Sequence, residues 1–294
     1  MHRVASSSQT KLLVVESPPK APRATARRRA NDLDGRRWLQ NSISVWNDIR
    51  RTPDEKKRNH PAMFPVQLVR RLLETFTNSA QRVVLDPFLG TGSTLVAAQE
   101  LGKTGVGFDI SQQYVEIALE RLGGQIDSFK PSSMDFKIVH ADAARLMEHL
   151  PKESVDICIT SPPYWDILSQ PRSADGKPIR DYHAEEGNLG HIRNYQRFVQ
   201  GLRSVFEGVF VALRHGSFCI VDVMDIRKKS KLYTLHIDLA SVMNDIGFEL
   251  DDIIIWDRRS EYNDLRPLGY PAVFRVNRIH EYLMIFQKPK RHDH

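Results

Sequence analysis

Between residues 83 and 160 short apolar runs rich in β-branched residues alternate with amphipathic stretches, and an acidic residue or a proline pair stands at the end of each run. Val83-Val84-Leu85 reads as a strand ending at Asp86, Gly105–Phe108 as a second ending at Asp109, and Phe136–Val139 as a third followed by Asp142. Val155–Ile159 is a fourth, stopped by Thr160-Ser161-Pro162-Pro163. Helical spacing fills the intervals at Leu95–Leu101, Tyr114–Leu122 and Asp142–Leu150, and an amphipathic helix from Pro65 to about Thr77 precedes them. Such alternation predicts an α/β fold with a mostly parallel sheet. Right-handed crossovers then put helices on both faces and gather ligand sites at the carboxyl ends of the strands.

Those strand ends carry the chemistry. In Asp86-Pro87-Phe88-Leu89-Gly90-Thr91-Gly92-Ser93 the glycines let the backbone approach a ligand at a helix N-terminus, and Asp109 is placed to accept from ribose hydroxyls. The third glycine of the dinucleotide fingerprint is missing, which disfavours a nicotinamide cofactor. Asp86 and Asp142 have a competing role as helix caps. At the fourth strand the two prolines make a rigid loop whose carbonyls cannot join a ladder. A small hydroxyl, free carbonyls and the ring of Tyr164 suit a planar group bearing an amine, such as a nucleobase; a plain strand-terminating turn fits the same residues.

Cys158 and Cys219 both lie in apolar runs, so they read as buried small hydrophobes in a reducing compartment, with no disulfide and no zinc cluster. No apolar run is long enough to span a bilayer, and a cytoplasmic location is expected. Residues 1–60 hold 14 Lys+Arg against 6 Asp+Glu, whereas the remainder holds 28 against 30. The basic excess is therefore N-terminal. Residues 1–35, with Arg27-Arg28-Arg29, are expected to form a disordered basic arm, a transit peptide or a start-site extension, and residues 36–294 a single domain.

The segment Asp86–Gly92 together with Ser161-Pro162-Pro163-Tyr164 resembles the signature pair of S-adenosylmethionine-dependent DNA amino-methyltransferases, which act on cytosine N4 or adenine N6. His60-Pro61-Ala62-Met63-Phe64-Pro65 is similar to a further cofactor-side motif of that family. The cofactor half precedes the catalytic loop, unlike the order in permuted members. The resemblance implies a Rossmann-like class I methyltransferase fold whose mostly parallel sheet closes in a terminal antiparallel hairpin, here Asp252–Trp256 and Glu281–Phe286. It implies S-adenosylmethionine as cofactor, held by His60, Pro61, Phe64, Asp86, Pro87, Phe88, Gly90, Thr91, Gly92, Ser93, Asp109, Ile110, Asp142 and Ala143. It assigns the flipped base of double-stranded DNA to Ser161, Pro162, Pro163 and Tyr164, with Ser161 resembling the cytosine-N4 members. No metal is implied, and a homodimer is left open. The family includes modification enzymes of restriction-modification systems.

Farther along, Phe198–Leu213 and Ile237–Ile246 read as helices and Ser217–Val223 as a strand. Two long loops, 166–196 and 257–278, and the run Arg227–Lys231 interleave basic residues with aromatics, a combination suited to phosphate contact and base stacking. Trp165, Arg172, Arg180, Arg227, Lys228, Lys229, Arg258, Arg259, Arg266 and Arg275 are the expected nucleic-acid contacts. Ser161 Oγ and the Pro162 carbonyl would accept from the two amine protons, localising the nitrogen lone pair for in-line attack on a methyl group. Alternatives in view are adenine-N6 methylation, an RNA or protein-glutamine methyltransferase, a non-catalytic nucleic-acid binder and a dehydrogenase.

Overall fold

The computed structural model describes residues 29–57, 64–123, 136–166, 187–261, 265 and 267–291. Helix α1 (Gly35–Asn41), strand β1 (Val45–Trp46) and helices α2 (Pro53–Lys57) and α3 (Val66–Phe76) lead into the alternating unit. That unit runs β2 (Val83–Asp86), α4 (Ser93–Glu100), β3 (Thr104–Asp109), α5 (Gln112–Arg121), β4 (Phe136–His140) and β5 (Val155–Thr160). There follow α6 (Tyr195–Ala212), β6 (Leu213–Val223), the short strands β7 (Ile226–Lys228) and β8 (Lys231–Tyr233), α7 (Leu235–Ile246), β9 (Glu249–Asp257) and β10 (His280–Gln287).

Eight strands form one sheet in the order β1-β9-β10-β6-β5-β2-β3-β4. Pairing is parallel from β4 through β3, β2 and β5 to β6, and β10 runs antiparallel to both of its neighbours. This is the class I methyltransferase arrangement. The expected terminal hairpin, β9 and β10, does form, but β10 is threaded between β6 and β9, and β1 pairs parallel with β9 at the edge. From β2 the chain winds outward to β3 and β4, then returns to place β5 on the other side of β2. The β2/β5 boundary is therefore the switch point, outside which a crevice opens.

Alternation along the strands sends side chains to two cores. Val84, Ile157, Ile159, Ile220, Leu283 and Ile285 pack against Leu68, Leu72 and Leu73 of α3, and Leu85, Cys158, Cys219, Val221 and Met284 pack against Phe198, Val205 and Phe206 of α6. Helices thus cover both faces. All six residues of β5 are buried, as expected for a central parallel strand. Cys158 faces Cys219 across the β5/β6 register, and both are free thiols.

Two sequence expectations change here. Order begins before residue 36: Asn31 Nδ2 donates to the Thr75 carbonyl at 2.8 Å, Leu33 is buried, and Asp34 caps α1 through Arg37 N. Residues 1–28 lie outside the described residues. The stretch expected as a helix from Asp142 to Leu150 is a 3-10 turn, Ala143–Glu148, capped by the Asp142 carboxylate.

Asp86 also departs from expectation. It is fully buried and reaches no ligand cleft; its Oδ1 accepts from Phe88 N (3.1 Å) and Thr160 Oγ1 (2.6 Å), and its Oδ2 from Thr94 Oγ1 (2.6 Å). One carboxylate therefore ties the end of β2 to the start of α4 and the end of β5. Burial raises its pKa from 3.8 to about 6 despite the two hydroxyl bonds and the Phe88 N–H.

Two predictions follow from this brace and its neighbour. Between pH 3.8 and about 6 the folded chain holds an Asp86 proton that the unfolded chain has released. The group's stabilising contribution is present below that window and lost as pH rises through it. Asp86→Asn cannot titrate, so the wild-type minus variant unfolding free energy, measured by denaturant at each pH, should fall by about 3 kcal/mol from acid to neutral pH. Gly92 precedes α4 at φ 84°, where a Cβ would stand 2.9 Å from Ala118 Cβ. Gly92→Ala should therefore destabilise the fold by about 1–3 kcal/mol in the same assay.

Candidate functional site

The crevice at the switch point is a solvent-open cleft. One wall is the loop after β2: Pro87, Phe88, Gly90, Thr91 and Ser93 all line it, with Phe64 from the segment before α3. Several bonds fix that loop. Gly90 N donates to Asp109 Oδ2 at 2.7 Å, Leu89 N to the Phe108 carbonyl at 2.8 Å, and Arg121 Nη1 to the Thr91 carbonyl at 2.7 Å. Arg121 also reaches Ser93 Oγ, placing a cation under the loop that sequence reasoning did not single out.

Asp109, Ile110 and Ser111 form the next wall. Ser111 N donates to Asp109 Oδ1 at 2.8 Å, so a backbone N–H holds each carboxylate oxygen. Beside it the Ser111 hydroxyl oxygen is buried with no hydrogen-bond partner among the described residues. A carboxylate next to an unpartnered hydroxyl fits the adjacent hydroxyls of a ribose. Asp142 and Ala143 line the cleft beyond, and Asp142 Oδ1 accepts from Ala144 N at 2.9 Å.

Ser161, Pro162 and Pro163 line this same cleft. The glycine loop, the two strand-end acids and the proline loop thus share one cavity. Gly187, Asn188 and Leu189 close its rim. They belong to the long loop assigned from sequence to the substrate side, and Gly187, at φ 90°, passes so near Asp142 that a Cβ would stand 3.1 Å from its Oδ2. Tyr114 of α5 was likewise not foreseen. Gly92 is not among the lining residues; it sets the turn that starts α4. His60 and Pro61 lie outside the described residues.

The aromatic residues of the loop point elsewhere than expected. Tyr164 is buried, and its hydroxyl donates to Glu281 Oε2 at 2.9 Å. Trp165 is only 2% exposed, its Nε1 donates to the Ile192 carbonyl at 2.6 Å, and Tyr195, Tyr233 and the Lys228 ammonium pack against its ring. Trp165 therefore offers no open face to a base, which corrects its place among the nucleic-acid contacts. Its backbone sits at φ 50°, a costly conformation for a bulky residue, which this packing holds immediately after the proline loop.

Several expected basic contacts are likewise engaged internally. Lys228 pairs with Asp166, and Arg227 Nη1 donates to the Ser230 carbonyl within the β7–β8 hairpin. Arg258 is bonded to Glu281 and Glu261 and lies over the Trp256 ring, so it is a structural cation. Lys229, at the hairpin tip, and Arg259 are exposed, and Arg275 is half-buried. Near Arg275 the loop exposes Tyr270 (80%) and Phe274 (90%). Arg172, Arg180 and Arg266 lie outside the described residues. Among the described residues no cluster of three or more His, Cys, Asp or Glu could hold a metal ion, and no helix is long and apolar enough to cross a membrane.

Comparison with known proteins agrees with this geometry. The DNA methylase family model for N6 and N4 enzymes matches residues 7–120 and 155–294. Type II methyltransferase M.ScaI of Streptomyces caespitosus is 34% identical over 94 residues, which are 30% of this chain and 31% of that protein. Type II methyltransferase M.HindIII of Haemophilus influenzae is 35% identical over 97 residues, 29% and 31% of the two chains. A tRNA (guanine(10)-N2)-dimethyltransferase of Pyrococcus abyssi is 27% identical over 175 residues, 58% and 46%. The matched stretch is thus about a third of the length of the two Type II relatives. The family match spans both the glycine-loop half and the proline-loop half of the cleft, and this chain belongs to the DNA methylase family of N6 and N4 amino-methyltransferases.

Proposed function

We propose that this chain transfers a methyl group from S-adenosylmethionine to the exocyclic N4 amine of a cytosine flipped out of double-stranded DNA. The observation that carries the reading is the single cleft lined at once by Gly90, Asp109, Asp142 and Ser161–Pro163. When bound, the cofactor supplies an electrophilic methyl group on a sulfonium. Asp109 and Ser111 would hold its ribose hydroxyls, Asp142 its adenine side, and the backbone around Gly90 and Thr91 its methionine end.

An exocyclic amine is a weak nucleophile because its lone pair is delocalised into the ring. Ser161 Oγ and the Pro162 carbonyl, accepting from the two amine protons, localise that pair and aim it into the cleft. Lys229 and Arg259, both exposed, and Arg275 suit phosphate contacts, and the exposed Tyr270 and Phe274 rings suit stacking on bases displaced by flipping. The assignment to cytosine rests on Ser161 at the first position of the loop. A homodimer remains compatible with this reading.

A second reading, amine methylation of RNA, is favoured by the breadth of the match to the tRNA-modifying relative, 58% of this chain. Incubation with tritiated S-adenosylmethionine and unmethylated DNA or unmodified tRNA, followed by digestion to nucleosides, separates the two. Label should appear in N4-methyldeoxycytidine. Label in deoxyadenosine would overturn the choice of base, and label in tRNA alone the choice of DNA. Asp109→Ala should weaken cofactor binding, read by equilibrium titration, by roughly 10- to 100-fold. Ser161→Ala should leave that binding within about twofold and lower kcat by roughly 100-fold.

A further inference from the structure

Beneath the proline loop, polar side chains from four separate parts of the chain meet in the core: Tyr164, Asp222 of β6, Arg258 after β9 and Glu281 of β10, with Glu261 beyond Arg258. Glu281 is 2% exposed; its Oε1 is bonded to Arg258 and its Oε2 accepts from Tyr164. Asp222 lies beside Glu281, and no donor among the described residues satisfies either of its oxygens. Two carboxylates so close in so dry a site cannot both be ionised. Arg258 and Tyr164 serve Glu281 and hold its carboxyl below the usual range, whereas burial and the Glu281 charge push Asp222 well above it.

That charge sets the direction of each bond leading to the cleft. An ionised carboxylate only accepts, so Tyr164 gives its one hydroxyl proton to Glu281. The Tyr164 oxygen then has only lone pairs to offer Ser161 Oγ, 3.3 Å away, so a bond between the two hydroxyls has Ser161 as its donor. A Ser161 whose single hydrogen is spent on that bond presents only lone pairs to the cleft.

We propose that Glu281 is a positioning residue that, through Tyr164, makes Ser161 an obligate acceptor, so the loop takes a base bearing an amine at that position and rejects one bearing a carbonyl. The proposal deepens the methyl-transfer reading and rests on it for the identity of the ligand. It supplies what the Ser161 hydroxyl alone lacks, since a free hydroxyl either donates or accepts.

Neutron diffraction from deuterium-exchanged crystals tests the bond directions without reference to activity. The Tyr164 deuteron should lie between Oη and Glu281 Oε2, and the Ser161 deuteron should point at Tyr164. A Tyr164 deuteron pointing at Ser161 overturns the proposal. In the labelled transfer assay, Glu281→Gln, whose amide can donate to Tyr164 and reverse the chain of bonds, should lower kcat by about tenfold or more with cofactor affinity unchanged. In a Tyr164→Phe background the same substitution should add no further loss, because the connection is already cut. Independent, multiplying losses would overturn it. If the wild-type chain labels no nucleic acid, the methyl-transfer reading fails, while the deuteron positions still decide the proposal.

Discussion

The arrangement depends on one buried carboxylate. Asp86 accepts from Thr94 at the start of α4 and from Thr160 at the end of β5, and so it binds the loop on the proposed donor side to the strand that carries the acceptor loop. Parallel pairing of β2 with β5 brings the two strand ends level, as Val84↔Ile157 and Leu85↔Cys158. The carboxylate then fixes how the chains leave the sheet. Desolvation resists this placement and the donors offset it only in part, since its pKa remains raised to about 6. A strained or ill-solvated group persists where the surrounding structure over-determines it.

A second buried carboxylate works on the other side of the proline loop. Glu281 reaches Tyr164 from β10, the strand inserted against the direction of the rest, and Arg258 pairs with it there. The antiparallel strand thus has a role at the site as well as in the sheet. Its insertion between β6 and β9 sets Glu281 beside Asp222 and beneath the loop. Trp165, locked by Tyr195, Tyr233 and Lys228, finishes the turn. These contacts make the loop rigid, and rigidity is what precise alignment of a weak nucleophile requires.

Much of the fold was legible because its strands are short, β-branched and separated by periodic helices; β2 to β5 lie where the runs from Val83 to Thr160 indicate. The cleft was legible for a related reason: ligand sites gather at strand ends, so Gly90, Asp109, Asp142 and Ser161 could be found without coordinates. Side-chain direction was not legible. Asp86, Tyr164, Trp165 and Arg258 all sit in motifs or loops that suggest exposure to ligand, yet each faces inward, because partners distant in sequence claim them: Thr160 for Asp86, Glu281 for Tyr164 and Arg258, Ile192 for Trp165. Such pairings appear only once the sheet order is known. Gly187–Leu189 escaped for the same reason, since nothing local marks a loop residue as the rim of a cleft built from strand ends earlier in the chain. The strand β1 and the β7–β8 hairpin, two and three residues long, are too short to register as periodic patterns.

In the proposed reaction one cleft holds the methyl donor against the proline loop. A crystal structure of the chain with S-adenosylmethionine bound measures this directly. The ribose should lie at Asp109 and Ser111, the adenine toward Asp142, and the sulfonium methyl should be directed at the space in front of Ser161 and Pro162. A cofactor seated elsewhere, or one whose methyl group points away from that loop, would contradict it.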